Sequence, residues 1–125
     1  MKQKNLVRKK YYLLRKKKYY KINKFFFTPL VNLIKSKFKK KKIKLALFYP
    51  SSFEINVLNL LKFNFINSQN LLLPVIEDNN TMNFFSWKIN QVMQVNRYGI
   101  LEPIKSKQCK PDIMLVPLLA FDREK

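Results

Sequence analysis

Apolar and polar residues alternate in two rhythms along this chain, and the change between them falls near residue 43. Within 4–20, Val7, Tyr11 and Leu14 recur at helical spacing among basic residues. Thr28 followed by Pro29 predicts a helix start: a hydroxyl cap, then a proline at the first helical position, where no amide partner is needed. Leu30, Leu33, Ile34 and Phe38 then share one face. Beyond this the period shortens. Residues 43–49 predict a strand in which Lys44 is the only charge, and Pro50 ends it. Residues 54–65 fit a helix with Val57, Leu58, Leu61 and Phe65 on one stripe, and 70–76, 82–88 and 112–116 predict three further strands. Apolar strands alternating with helical segments predict an α/β fold. The expected architecture is a three-layer sheet with parallel central strands, preceded by N-terminal helices. Such sheets take ligands beyond the carboxyl ends of their strands. Those ends are the 49–54 loop, the 74–80 loop and the segment after Pro117.

A length of 125 residues predicts a single domain, divided into a basic helical segment (1–42) and an α/β core (43–125). The charge follows the same division. Of the 26 Lys and Arg residues, 18 lie within 1–44, which contains no acid, while the rest of the chain is close to neutral. Two readings stay open. Lysine accompanied by much Asn, Ile, Phe and Tyr, with a single Gly, fits a compositional bias at tolerant surface positions. Alternatively the segment binds nucleic acid non-specifically, with Tyr11, Tyr12, Tyr19 and Tyr20 interleaved among the cations as stacking groups.

The absence of histidine removes His-based triads and the usual zinc sites, and a lone Cys109 removes disulfide frameworks, so no metal ligands are assigned. No apolar run approaches the roughly 20 residues that span a bilayer, and no signal peptide opens the chain. A cytoplasmic monomer without a membrane partner is the expectation.

The residues that carry chemistry cluster late. Gly99, the one glycine, predicts a turn that few other residues could make. Ser51-x-x-Glu54 after the first strand can be a capping box, serine and glutamate each bonding the other's amide. Met82, Phe84 and Trp87 form an aromatic and thioether patch whose alternation sends one residue away from the other two. Phe84 is the better pocket candidate. Glu102-Pro103 reads as a turn fixture, and Tyr98 either packs on a sheet edge or offers a stacking face.

Asn96-Arg97-Tyr98-Gly99-Ile100-Leu101-Glu102-Pro103 and the run from Pro111 through Val116-Pro117 to Asp122 together resemble the 5-formyltetrahydrofolate cyclo-ligase (5,10-methenyltetrahydrofolate synthetase) family. Its members read roughly N-x-x-G-I-x-E-P, then P-D-x-x-x-V-P-x-x-A-F-D. The resemblance implies an ATP-dependent, Mg²⁺-requiring ligase that closes 5-formyltetrahydrofolate to the methenyl form. It implies that Glu54 bonds the pterin of the folate substrate, that Tyr49 and Phe84 line its pocket, and that Tyr98 stacks on it. Lys4-Asn5-Leu6-Val7-Arg8 is similar to the family's K-x-x-x-R opening, which implies nucleotide-phosphate contacts for Lys4 and Arg8, placed on one face by their i, i+4 spacing. The family continues into a glycine-rich loop that wraps the phosphates; here Asp122 is followed by Arg123, Glu124 and Lys125. The expectation is therefore a fold incomplete at its C-terminus, with a pterin half-site, no phosphate cradle, and activity lost or impaired.

Overall fold

The computed structural model describes residues 2–19, 21–23, 25–39, 42–119 and 123. Two helices come first, α1 (Lys2–Lys18) and α2 (Thr28–Lys37). Pro29 sits in the first turn of α2, but Phe27 holds the cap position and Thr28 makes no capping bond. The preceding turn explains this correction. The Thr28 amide already donates to the Phe25 carbonyl, and the Asn23 side chain accepts from the Phe25 amide. The Val31 amide, which a Thr28 cap would serve, donates instead to the Phe27 carbonyl at 3.0 Å.

The core begins with β1 (Lys44–Ala46), followed by a 3₁₀ helix (Val57–Lys62), α3 (Asn64–Asn67), β2 (Asn70–Ile76) and β3 (Met82–Ser86). It ends with β4 (Met93–Val95), β5 (Leu101–Pro103) and β6 (Ile113–Met114). The single helix expected over 54–65 is replaced by the 3₁₀ helix and α3. Asn56 opens the first, its Oδ1 accepting from the Leu58 amide, and Phe63 separates the two in extended conformation. Winding three residues per turn brings Val57 and Leu60 onto one buried face, and Leu58, Leu61 and Phe65 of the expected stripe pack half-buried against the same core.

The main sheet is mixed, in the order β3-β2-β1-β6. β1 pairs in parallel with β2 and β6, and β3 runs antiparallel to β2. The fold class expected from the sequence is the one observed, an α/β fold with parallel strands at the centre of its sheet. Two side chains hold the entry to β1: Gln69 Oε1 accepts from the Ile43 amide at 2.8 Å, and Asp112 Oδ2 accepts from the Lys44 amide at 2.8 Å.

Alternation decides the two faces. Leu45, Leu47, Leu71, Leu73 and Trp87 join Val31, Ile34, Leu60 and Ile66 in one buried cluster. The opposite face carries Pro74 and Ile76 with their cross-strand partners Phe84 and Met82. Above it lies the β4–β5 hairpin, whose strands the sequence pattern did not reveal because each is only three residues long. Its turn depends on Gly99 at φ +75°, where the Gly99 amide donates to the Asn96 carbonyl. A Cβ at this position would meet nothing within 4 Å, so backbone conformation alone demands glycine. Gly99→Ala is expected to cost about 1 kcal/mol in urea denaturation, the left-handed penalty of an ordinary residue. An unchanged midpoint would refute that account.

Glu102 of β5 is 6% exposed and satisfied. Its carboxylate accepts from Gln94 Nε2 at 3.2 Å, Asn96 Nδ2 at 3.3 Å and the Ile76 amide at 3.4 Å. The turn fixture read from the sequence is a buried clamp between the hairpin and the end of β2. On the rim beside it, Lys105 Nζ lies 2.5 Å from Glu77, and this ammonium holds the Glu77 carboxyl below its ordinary value.

Candidate functional site

The carboxyl ends of the parallel strands β1, β2 and β6 meet at one edge of the sheet, and antiparallel β3 begins there. Loops leaving this edge enclose a recess of about 220 Å³. Pro74, Ile76, Met82 and Phe84 form its floor, Ile100 and Leu101 of the hairpin one wall, and Tyr49 and Glu54 another. The lining is mostly apolar with few polar groups, the usual make-up of a small-molecule site.

Glu54 owes its position to a strained loop. Ser52 and Phe53 both adopt positive φ, 50° and 63°, a conformation that costs an ordinary residue about 1 kcal/mol or more. The turn they make lets the Glu54 amide donate to the Ser51 carbonyl, while Glu54 Oε1 accepts from the Ser51 amide at 2.9 Å and from Ser51 Oγ at 3.3 Å. This is half of the capping box that the spacing suggested, without the helix it would cap. Among the described residues Oε2 takes no hydrogen bond, which leaves acceptor capacity at the recess.

A second recess, of about 400 Å³, opens between α1 and the same loop. Phe48, Glu54, Leu115, Val116 and Pro117 line both, so the two are continuous. Phe53, thrown outward by the strained turn, docks α1: Tyr12 and Tyr19 meet its ring edge-on, with centroids 6.1 and 5.8 Å away. These two tyrosines are therefore engaged in packing, while Tyr20 lies outside the described residues.

The structure brings Tyr49, Glu54 and Phe84 together in the smaller recess. Met82 shares that face with Phe84, and Trp87 is buried in the core on the other. Tyr98 is not brought there; its ring is 59% exposed at the hairpin tip, beneath the Arg97 guanidinium. Lys4 and Arg8 are exposed and stand outside both recesses. The cations that do reach the larger recess are Arg15 and Lys18. Arg8, Tyr12 and Arg15 follow one another at four and three residues, and so lie along one face of α1, with Tyr19 just past its last residue. That spacing was readable in the sequence, but in a segment so rich in lysine it singled out no cation. The Mg²⁺ implied by the resemblance finds no obvious ligand set: no three His, Cys, Asp or Glu side chains gather among the described residues. No helix among them is long and apolar enough to cross a membrane.

A mixed α/β sheet with an apolar recess at the carboxyl ends of its parallel strands defines a small-molecule-binding domain. The sequence profile of the 5-formyltetrahydrofolate cyclo-ligase family matches residues 6–124, and the chain belongs to that family. Among solved structures it is similar to the NMR structure of 5,10-methenyltetrahydrofolate synthetase from Aquifex aeolicus, with a TM-score of 0.70 and 26% identity. The match covers 95% of this chain and 62% of that one, so the chain spans less than two thirds of its structural relative. No curated protein matches it.

Proposed function

We propose that this chain is the folate-binding part of a 5-formyltetrahydrofolate cyclo-ligase, with the pterin ring in the recess of Glu54, Tyr49 and Phe84. The observation that carries this reading is the Glu54 carboxylate, held through Oε1 and with acceptor capacity left on Oε2, at the rim of an apolar slot. The aminopyrimidine edge of a pterin presents adjacent N–H donors, which a carboxylate meets with charge-assisted bonds. Phe84 and Met82 offer flat and polarizable surface to the ring system.

The reaction of the family transfers a phosphoryl group from ATP to the formyl oxygen, after which the neighbouring nitrogen attacks the activated carbon and phosphate leaves. This chain's share is to bind the folate and hold its pterin ring in the smaller recess. Lys4 and Arg8 would steer the nucleotide phosphates, since Arg8 lies on the pocket-facing side of α1, about 10 Å from Arg15 along the helix. In this reading the role of Glu54 is to orient the pterin through its free acceptor oxygen. The cytoplasm is the compartment that suits such an enzyme.

Glu54→Gln tests the proposal. It should weaken binding of 5-formyltetrahydrofolate by about 1.5–3 kcal/mol, the range for a hydrogen bond to a charged group, with a smaller loss of stability. Calorimetric titration beside a thermal melt would check both. Equal losses in the two measurements would assign Glu54 to the Ser51 turn alone.

A further inference from the structure

We infer that Phe53 is a positioning residue: α1 grips its ring through Tyr12, with Tyr19 beside it, and so holds the strained turn that aims Glu54 at the smaller recess. This rests on the pterin reading of Glu54. Three observations support it. Ser52 and Phe53 are consecutive non-glycine residues at positive φ, 50° and 63°, and a bulky aromatic residue keeps such a backbone only where its surroundings hold it there. The Phe53 ring has those surroundings. Tyr12 and Tyr19 meet it edge-on, with centroids 6.1 and 5.8 Å away, and Lys16 Nζ lies 5.7 Å from its centroid. Glu54 follows directly, and among the described residues its carboxylate is oriented only inside the same turn, by the amide and hydroxyl of Ser51.

The contact is also what anchors the helix. No residue of α1 is buried, and Tyr12 and Arg15 are its only half-buried side chains. Docking of α1 and the conformation of the turn are therefore coupled. When α1 lifts away, the Phe53 ring loses its cover, and only the bonds between Ser51 and Glu54 oppose the return of Ser52 and Phe53 to negative φ. That return opens the turn and takes the carboxylate out of its aimed position. The coupling runs both ways: a ligand bonded to Glu54 holds the turn, and so holds α1 down. Tyr12 isolates the effect. It lines neither recess, so its influence on a ligand passes through Phe53.

Amide exchange of the free chain, followed by NMR, and calorimetric titration of 5-formyltetrahydrofolate test the coupling. Tyr12→Ala should speed exchange of the Ser51 and Glu54 amides about two- to tenfold, the loss expected for one edge-on aromatic contact. The Asn70 and Trp87 amides, which donate to the Ile43 and Leu71 carbonyls in the main sheet, should be unchanged. Tyr12→Phe keeps the ring and should match the wild type. Ser52→Gly, which adopts positive φ without strain, should restore slow exchange to the Tyr12→Ala protein. Folate binding should weaken by the same factor in Tyr12→Ala, and this effect should vanish in a Glu54→Gln background, where the carboxylate that Phe53 positions is gone. Unchanged exchange at Ser51 and Glu54 would overturn the inference. Acceleration equal to that at Asn70 and Trp87 would overturn it too, by making Tyr12 an ordinary contributor to stability, as would a Tyr12 effect on folate that persists in Glu54→Gln. Folate affinity unmoved by Glu54→Gln would sink the pterin reading alone, because exchange is read without ligand and still supports or overturns the grip on Phe53.

Discussion

Replacing Glu102 by alanine is expected to destabilise the fold by about 3 kcal/mol and to weaken folate binding by more than any single change in the recess wall. The carboxylate is buried and accepts three hydrogen bonds, from the Ile76 amide, Gln94 Nε2 and Asn96 Nδ2. Truncation leaves all three donors without their acceptor, and each such loss costs roughly 1–3 kcal/mol when water cannot substitute. The damage reaches the site because Asn96 is itself a clamp. Its Oδ1 accepts from the Tyr98 amide at 2.9 Å and the Ile100 amide at 3.1 Å, which shapes the hairpin that walls the smaller recess with Ile100 and Leu101. Glu102→Gln should be milder, since an amide oxygen still accepts. Urea denaturation and folate titration of both variants would measure the effect. A Glu102→Ala protein within about 0.5 kcal/mol of wild type would show that the hairpin is held by packing instead.

The second large effect concerns turnover. Assayed alone, these 125 residues are expected to bind 5-formyltetrahydrofolate but to form methenyl product at least about a hundredfold more slowly than a relative that carries a glycine-rich phosphate-binding loop. Phosphoryl transfer depends on donors arranged around the γ-phosphoryl group, usually backbone amides of a glycine-rich loop together with cations. The one glycine of these 125 residues, Gly99, is committed to the hairpin turn. Lys4 and Arg8 stand exposed on α1 and supply charge without a cradle. Product absorbance with 5-formyltetrahydrofolate, ATP and Mg²⁺ measures the rate. Turnover near one per second, within the ordinary range for enzymes, would show that the chain suffices. Recovery of activity on appending a glycine-rich phosphate-binding segment would support the expectation.

Local spacing was enough to read β2, because six consecutive residues, Leu71 to Ile76, carry apolar side chains toward both faces. The same is true of Gly99, since a positive φ is a demand that only the residue's own covalent structure can meet. It also placed Glu54 in the loop at a strand's carboxyl end, where α/β sheets hold their ligands. Other features were settled in three dimensions. The direction of β3 follows from the tight turn at 77–81, and its antiparallel course puts Met82 and Phe84 at the recess. The 3₁₀ winding over Val57–Lys62 depends on which residues the core accepts, not on propensity.

The cations show the division most plainly. Residue spacing alone makes α1 a basic helix in which Lys4 and Arg8, Arg8 and Tyr12, and Tyr12 and Arg15 are neighbours along its surface. It could not say which of these residues reaches a recess. That was decided by where Phe53 meets Tyr12 and Tyr19, which turns one face of the helix toward the larger recess and half-buries Arg15 while leaving Lys4 and Arg8 in water. Periodicity within a segment reports its own faces; the partner each face meets is set by contacts between residues far apart in the chain.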